Sequence, residues 1–139
     1  MTKIERQAMF DAARDVLLKA LPDAWAIYVY GSFARGDEWP TSDLDLGVLL
    51  PPGRGISNQL KLLAKVSGAV HRDVDIVDLR SAGLDLVHEV LRDGRPLSVR
   101  RKADALAWES EQMTDYSDFH PRRANLVDLY MRQPLRAPA

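Results

Sequence analysis

Two aspartates, Asp43 and Asp45, stand two residues apart at the start of an apolar run, SDLDLGVLL, residues 42–50. Side chains two positions apart on a β-strand project from the same face, so these carboxylates are expected roughly 7 Å apart at the backbone. We expect them on the open face of a sheet, where Gly47 leaves room above the strand. The opposite face carries the side chains expected to pack on the core: Leu44, Leu46 and Val48.

A third carboxylate comes from the stretch VDIVDL, residues 74–79, where Asp75 lies between apolar neighbours. If Asp75 lies beside Asp43 and Asp45, carboxylates about 5 Å apart repel by roughly 3 kcal/mol per pair at an effective dielectric near 20. A cation is therefore expected among them. All-oxygen ligands suit Mg²⁺, which proteins commonly hold with a few carboxylates and substrate phosphates. Two such ions would clamp the attacking and leaving oxygens of a phosphoryl displacement.

Gly31 and Ser32 end the apolar run WAIYVYG and precede Asp43 by about ten residues. Glycine allows a sharp turn and a close approach of the backbone to a phosphate, and the next residues can open a helical turn whose N–H groups point outward. The Ser32 hydroxyl adds a donor, and Arg35 could add a charge-assisted contact to the same phosphates. Between these motifs, Trp39 is expected to be an exposed loop ring that could stack on a base.

Ser42, directly before Asp43, has two interpretations. Its hydroxyl can start the strand with a local hydrogen bond, or it can lie near a bound nucleotide. Serine often makes local hydrogen bonds at turns, so we favour the local one.

The elements that position these residues follow from periodicity and capping. Thr2 and Glu5 form a capping box that predicts a helix over residues 3–20. Residues 32–36, SFARG, are expected to form one helical turn before a polar loop that contains Pro40. Apolar, β-branched and aromatic runs predict four strands, at 25–31, 42–50, 74–79 and 95–100, the last of them a short edge strand.

Three further helices are expected between and after the strands. Ser57 is the predicted cap of one helix and Ser81 of the next, with Gly94 as a left-handed C-cap residue; another helix runs from Lys102 to about Tyr116. The inward side chains of the first of these are expected to be Leu60, Leu63, Ala64, Ser67 and Val70, and those of the second Leu84, Val87, Val90 and Leu91.

Alternating strands and helices favour an α/β (α+β) fold, a small β-sheet flanked by helices. The connection between the first two strands is only about ten residues long, too short for a crossover helix. That pair is therefore expected to be antiparallel and the sheet mixed.

Composition narrows the class of protein. A chain of 139 residues predicts one domain, with a core over residues 1–101 and a C-terminal helix and tail, 102–139, as a candidate partner-binding element. The absence of cysteine excludes thiolate metal sites and thiol nucleophiles. A net charge of -1 argues against long nucleic acid as a partner, and no membrane segment or signal peptide is evident, so a cytoplasmic location is expected.

The run GSFARGDEWPTSDLDLGVLL, followed by VDIVDL, resembles the polymerase-beta-like nucleotidyltransferase superfamily, and most closely its minimal nucleotidyltransferases, the antitoxins paired with HEPN-domain toxins. The resemblance implies a nucleotidyltransferase fold and an Mg-ATP-dependent enzyme that transfers AMP to a hydroxyl, a tyrosine of the partner toxin. It also implies phosphate binding by Gly31 and Ser32 and two metal ions at Asp43 and Asp45. Asp75 would ligate one metal and help to deprotonate the incoming hydroxyl.

Two alternatives remain at this point. Similar folds nucleotidylate small-molecule hydroxyls such as those of aminoglycosides, although little chain follows residue 101 to shape an acceptor pocket. A non-catalytic antitoxin that acts by binding alone would be expected to lack one of the aspartates, and all three are present.

Overall fold

In a computed structural model, which describes residues 1–114, five helices flank a four-stranded β-sheet. The C-terminal end of the last predicted helix and the tail to residue 139 lie outside the described residues. The elements, in chain order, are α1 (Lys3–Ala20), β1 (Ala26–Tyr30), α2 (Ser32–Arg35), β2 (Leu44–Leu49), α3 (Gln59–Val70), β3 (Val74–Asp78), α4 (Leu84–Asp93), β4 (Arg95–Val99) and α5 (Lys102–Thr114). This architecture confirms the predicted fold class.

The strand order is β3-β2-β1-β4. Strand β1 is antiparallel to both β2 and β4, while β2 and β3 are parallel. The sheet is thus mixed, as the short β1–β2 connection predicted, because β2 and β3 are joined through a full crossover helix, α3. Strand β4 lies at an edge, also as predicted.

Each face of the sheet is covered by a pair of helices. Helices α1 and α3 pack on the face that carries Leu44, Leu46 and Val48, which are fully buried as predicted. Helices α4 and α5 cover much of the other face, where Tyr28 and Trp108 are buried. The expectation that the aspartates' face is open was therefore wrong for most of the sheet, because helices bury the strands from both sides.

Gly47 illustrates that correction. A Cβ atom at Gly47 would lie 3.1 Å from a methyl carbon of Leu79, so the space above this glycine is filled by a leucine and is not open. Glycine at this position permits tight packing of the residue that follows β3. Only the end of the sheet near Asp45 remains accessible on this face, because Asp45 itself is half-buried and Asp43 is exposed.

Helix α1 has the predicted bounds and capping box: the Thr2 hydroxyl accepts the N–H of Glu5, and the Glu5 carboxylate accepts the N–H of Thr2. The predicted start of α3 was wrong by one residue, because Asn58 rather than Ser57 caps it by accepting the N–H of Lys61. Its inward stripe is consequently shifted: Leu62 and Val66 are buried, whereas Leu60 is 79% exposed.

Helix α4 ends at the predicted C-cap residue, Gly94, but its start and the conformation of that glycine differ from the prediction. Gly83 precedes it without a side-chain cap, and the Ser81 hydroxyl bonds instead to Asp78. Val87, Val90 and Leu91 are buried as predicted, but Leu84 in the first turn is partly exposed. Gly94 has a φ of -71°, so it is not left-handed; a Cβ atom there would overlap the carbonyl oxygen of Val90. Glycine is needed at this C-cap because the Val90 carbonyl leaves no room for a side chain, and not because the backbone is left-handed.

No helix in residues 1–114 is long and apolar enough to cross a membrane.

Candidate active site

Asp45 is flanked by one functional side chain on each neighbouring strand. It pairs in register with Asp75 on the parallel strand β3 and with Tyr30 on the antiparallel strand β1. Residues directly opposite one another on adjacent strands lie on the same face, with strands about 4.8 Å apart. The sheet therefore places Tyr30, Asp45 and Asp75 side by side, as the sequence predicted for the two aspartates.

Asp43 lies immediately before β2 and is exposed. Its negative charge contributes to a raised pKa at Asp45, so the carboxylates act on each other electrostatically. The structure thus pairs Asp45 with Asp75 and places Asp43 near enough for its charge to act on Asp45. Asp73, which directly precedes β3, is exposed and is not among the charges that raise the pKa of Asp45.

The pKa of Asp45 is raised to about 6. Burial is the largest cause, followed by the charges of Asp75, Asp43 and Glu89, while Arg35 acts in the opposite direction. Like charges around a half-buried carboxylate disfavour its ionised form, and a bound cation would reverse that effect. Asp45 is thus the carboxylate whose ionisation depends most directly on a positive partner.

Tyr30 shares this environment. Its side chain is almost fully buried, and the pKa of its phenol is raised, first by burial and then by the charges of Asp45, Asp75 and Glu89. The phenol therefore stays protonated and acts as a neutral side chain that can donate or accept a hydrogen bond. Sequence analysis assigned Tyr30 to the strand but did not identify its proximity to the aspartates.

Gly31 adopts a conformation that other residues rarely accept, with φ of +71°. A Cβ atom at this position would overlap Oδ2 of Asp45, so the carboxylate lies directly against the glycine backbone. Both the turn and the approach of Asp45 require glycine. The Gly31 carbonyl accepts the N–H groups of Ala34 and Arg35, each at 3.1 Å, which closes the short helix α2 beside the aspartates.

Arg35 lies at the rim of this site. Its guanidinium contacts the carboxylate of Asp37 at 3.1 Å and that of Glu89 at 3.8 Å, and all three side chains are partly exposed. Glu89, on α4, is a functional candidate that sequence reasoning missed. No sequence signal pointed to it, because it lies 44 residues from Asp45 and only the packing of α4 on the sheet brings them together.

The Ser42 hydroxyl is engaged locally. It accepts the backbone N–H of Trp39 at 2.8 Å, and the Ser42 N–H donates to the Trp39 carbonyl at 3.0 Å. This is the local hydrogen bond that the sequence favoured. Ser42 thereby shapes the loop that leads into Asp43.

The donor chemistry of the site fits a hard divalent cation. Among residues 1–114, no three histidine or carboxylate side chains are close enough to form a complete metal site by themselves. Magnesium does not require one, since it is usually held by one or two carboxylates with water and substrate phosphates. Asp45, whose pKa is raised by burial and by the charges of Asp75 and Asp43, lies beside a turn suited to phosphate, and this is consistent with that arrangement.

Comparison with known proteins now defines the class. The family model for the polymerase beta nucleotidyltransferase domain matches residues 15–103, which include all the residues of the site. The chain belongs to this family and is a nucleotidyltransferase.

Among individual proteins, the chain is similar to the protein adenylyltransferase MntA of Shewanella oneidensis strain MR-1. The two are 30% identical over 108 residues, which cover 78% of this chain and 77% of that protein.

Two solved structures show the same fold. A toxin–antitoxin crystal structure with AMP-PNP matches with a TM-score of 0.69 and 29% identity, over 77% of this chain and 86% of that one. A complex of tri-AMPylated Shewanella oneidensis HEPN toxin with its MNT antitoxin matches with a TM-score of 0.65 and 27% identity, over 80% and 86% of the chains.

Proposed function

We propose that this chain is an Mg-ATP-dependent protein adenylyltransferase that transfers AMP to a tyrosine hydroxyl of a HEPN-domain toxin and thereby acts as its antitoxin. The similarity to MntA and to complexes that contain an AMPylated HEPN toxin supports the acceptor class. The observation that carries the chemistry is the position of Asp45, which lies against Gly31 on one side and beside Asp75 on the other. The carboxylate of Asp45 thus lies both against the turn that is proposed to bind phosphate and beside Asp75.

Each residue has a distinct role in this proposal. The turn at Gly31 and Ser32 binds the β- and γ-phosphates, and Arg35 at the rim supplies positive charge to them. Asp43, Asp45 and Asp75 would hold two metal ions. When bound, these ions stabilise the charge that develops on the attacking and leaving oxygens.

The proposed reaction is an in-line displacement at the α-phosphorus of ATP. The acceptor hydroxyl oxygen forms a bond to that phosphorus, the bond between the α-phosphorus and the bridging oxygen to the β-phosphate breaks, and pyrophosphate leaves. Asp75, next to Asp45 on the parallel strand, accepts the hydroxyl proton. Because α4 and α5 cover the rest of this face, the acceptor must approach from the exposed side, where Asp43 lies.

The decisive experiment is transfer of label from α-labelled ATP to the HEPN-domain product of the neighbouring reading frame, followed by mass spectrometry of the modified residue. Wild-type protein is expected to add AMP to a tyrosine. The double variant Asp43→Asn with Asp45→Asn should lose transfer while keeping its fold and the partner complex. Labelling by the double variant at the wild-type rate would refute the catalytic assignment.

The same experiment separates the alternatives. Neutralisation of the toxin by the unreactive double variant would favour an antitoxin that acts by binding alone. Transfer to an added aminoglycoside, without transfer to the protein, would favour a small-molecule acceptor.

A further inference from the structure

The indole of Trp39 is 74% exposed on the loop between α2 and β2. Together with Met1 and Pro40, which are also exposed, it borders a depression of about 220 Å³ whose lining is completed by Phe33, Glu38 and Arg72. We call Met1, Trp39 and Pro40 the Trp39 platform. A large aromatic side chain left in water beside a depression is a typical feature of binding surfaces.

The loop that carries Trp39 is held in place by its own hydrogen bonds and by Arg72, which lies in the turn after α3. The reciprocal hydrogen bonds between Trp39 and Ser42 close a tight turn. Nη1 of Arg72 donates to the carbonyls of Pro40 and Ser42, both at 2.8 Å. Four hydrogen bonds therefore fix a stretch of four residues, so the exposure of Trp39 does not come from a loose loop.

Two further contacts brace the loop from below. The guanidinium of Arg72 stacks on the ring of Phe33, 4.9 Å from its centroid, which fixes the side chain that holds the loop. Arg6 on α1 forms an ion pair with Glu38, next to Trp39, and this hydrogen bond lowers the pKa of Glu38. A pre-ordered aromatic side chain loses little conformational entropy on binding and can contribute most of its contact energy to affinity.

The platform and the aspartates lie toward different faces of the sheet. Phe33, which lines the depression, belongs to the core under α1 and α3, whereas Asp45 and Asp75 share their face with Tyr30 and α4. A protein interface of ordinary size covers about 800 Å² on each partner and would span both. Because the depression and the aspartates belong to different faces, a protein is favoured over a base at Trp39.

We propose that the Trp39 platform is a docking surface for the protein that presents the acceptor hydroxyl, an inference that rests on the proposed function. The partner segment carries an apolar side chain that fills the depression. It also carries a basic residue, because the carboxylate of Asp37, two residues before Trp39, is 61% exposed and forms only a weak surface pair with Arg35, whereas the less exposed Glu38 is paired with Arg6. Docking there brings the acceptor to the exposed side of the aspartate site.

The test compares Trp39→Ala with Leu60→Ala, a matched control because Leu60 is 79% exposed on the surface of α3. Binding of the HEPN-domain product of the neighbouring reading frame is measured by calorimetry, and binding of Mg-AMP-PNP is measured in parallel. Trp39→Ala is expected to weaken the protein complex by roughly thirtyfold or more. Trp39→Phe should restore part of the affinity, and Leu60→Ala should change it less than about twofold. All variants should bind Mg-AMP-PNP as wild type does.

The outcomes separate this inference from the proposed function. Equal partner affinity for Trp39→Ala and Leu60→Ala would overturn the docking surface and leave AMP transfer by the wild-type protein intact. Loss of Mg-AMP-PNP binding in Trp39→Ala would overturn it in favour of base stacking. Absence of AMP transfer by the wild-type protein, with the partner still bound through Trp39, would instead overturn the proposed function alone.

Discussion

The carboxylate of Asp45 lies so close to Gly31 that no side chain could be accommodated at position 31 without moving it. Gly31 and Asp45 therefore form one structural unit: the glycine turns the backbone between β1 and α2, and the carboxylate packs against it. The turn that is proposed to bind phosphate cannot be altered at this glycine without disturbing the carboxylate that is proposed to bind metal.

Gly31→Ala is accordingly expected to reduce AMP transfer at least about 100-fold, because the new methyl group displaces Asp45 and even a shift of about 1 Å can cost that factor. Gly53→Ala is the matched control: Gly53 has a φ of +81°, and a Cβ atom there meets nothing within 4 Å. Both variants incur backbone strain of about 1 kcal/mol, measurable by urea unfolding. If Gly31→Ala transferred AMP as fast as Gly53→Ala, the proximity of Asp45 would be functionally irrelevant.

The raised pKa of Asp45 predicts a pH-dependent stability in metal-free protein. Its ordinary pKa is 3.8 and its pKa in the folded protein is about 6, so between these values the folded state binds more protons than the unfolded state. The stability that protonated Asp45 contributes is therefore fully present below about pH 4 and is lost as the pH rises through about 6. Because Asp45 is half-buried and screened by solvent, the loss is about 1 kcal/mol.

Urea unfolding in EDTA from pH 4 to pH 7 measures this effect, with Asp45→Asn as the comparison. The variant cannot ionise at this position and should lose less stability than wild type over the same range. Identical pH profiles for the two proteins would show that burial and the neighbouring charges do not raise the pKa of Asp45.

Ligand binding should be visible as thermal stabilisation. Mg²⁺ with AMP-PNP at about 100 times its dissociation constant should add roughly 2.7 kcal/mol, several degrees in melting temperature, because only the folded state binds. Asp43→Asn with Asp45→Asn should lose most of this shift. Asp73→Asn, an exposed aspartate that does not influence Asp45, should retain it. Equal shifts in all three proteins would place the nucleotide elsewhere.

Glu89 is expected to compete with nucleotide phosphates for Arg35, because the Glu89 carboxylate lies 3.8 Å from the Arg35 guanidinium. Removing its charge in Glu89→Gln should lower the dissociation constant for Mg-AMP-PNP about two- to fivefold, the range expected for a partly exposed ion pair. In an Arg35→Ala background the same substitution should have no effect. Calorimetry on the four proteins of this cycle tests the coupling, and weaker binding by Glu89→Gln would show that Glu89 assists the nucleotide directly.

Much of the architecture could be predicted from local patterns. The capping box of Thr2 and Glu5 predicted the bounds of α1, and the short connection after β1 predicted an antiparallel pair and a mixed sheet. Alternation within β2 predicted which face Leu44 and Leu46 occupy, and that prediction is confirmed. These features follow from covalent geometry and hydrogen bonding over a few residues, so a short stretch of chain contains the information.

Predictions that needed the neighbours of an element were less successful. The stripe of α3 was assigned around Leu60, but packing against α1 buries Leu62 and Val66. The space above Gly47 was expected to be open, but Leu79 occupies it. In both cases the local pattern allowed more than one arrangement, and the fit between side chains of distant segments selected one.

The sequence by itself determined the family, the aspartate pair on one strand face and the glycine turn, because spacing along an extended chain dictates which side chains can share a surface. Only the tertiary structure decided that Tyr30 and Glu89 also border Asp45, that α4 and α5 close most of that face, and that Trp39 stands exposed on a braced loop. These relationships depend on contacts between residues far apart in the chain, and such contacts are set by packing and burial rather than by local periodicity.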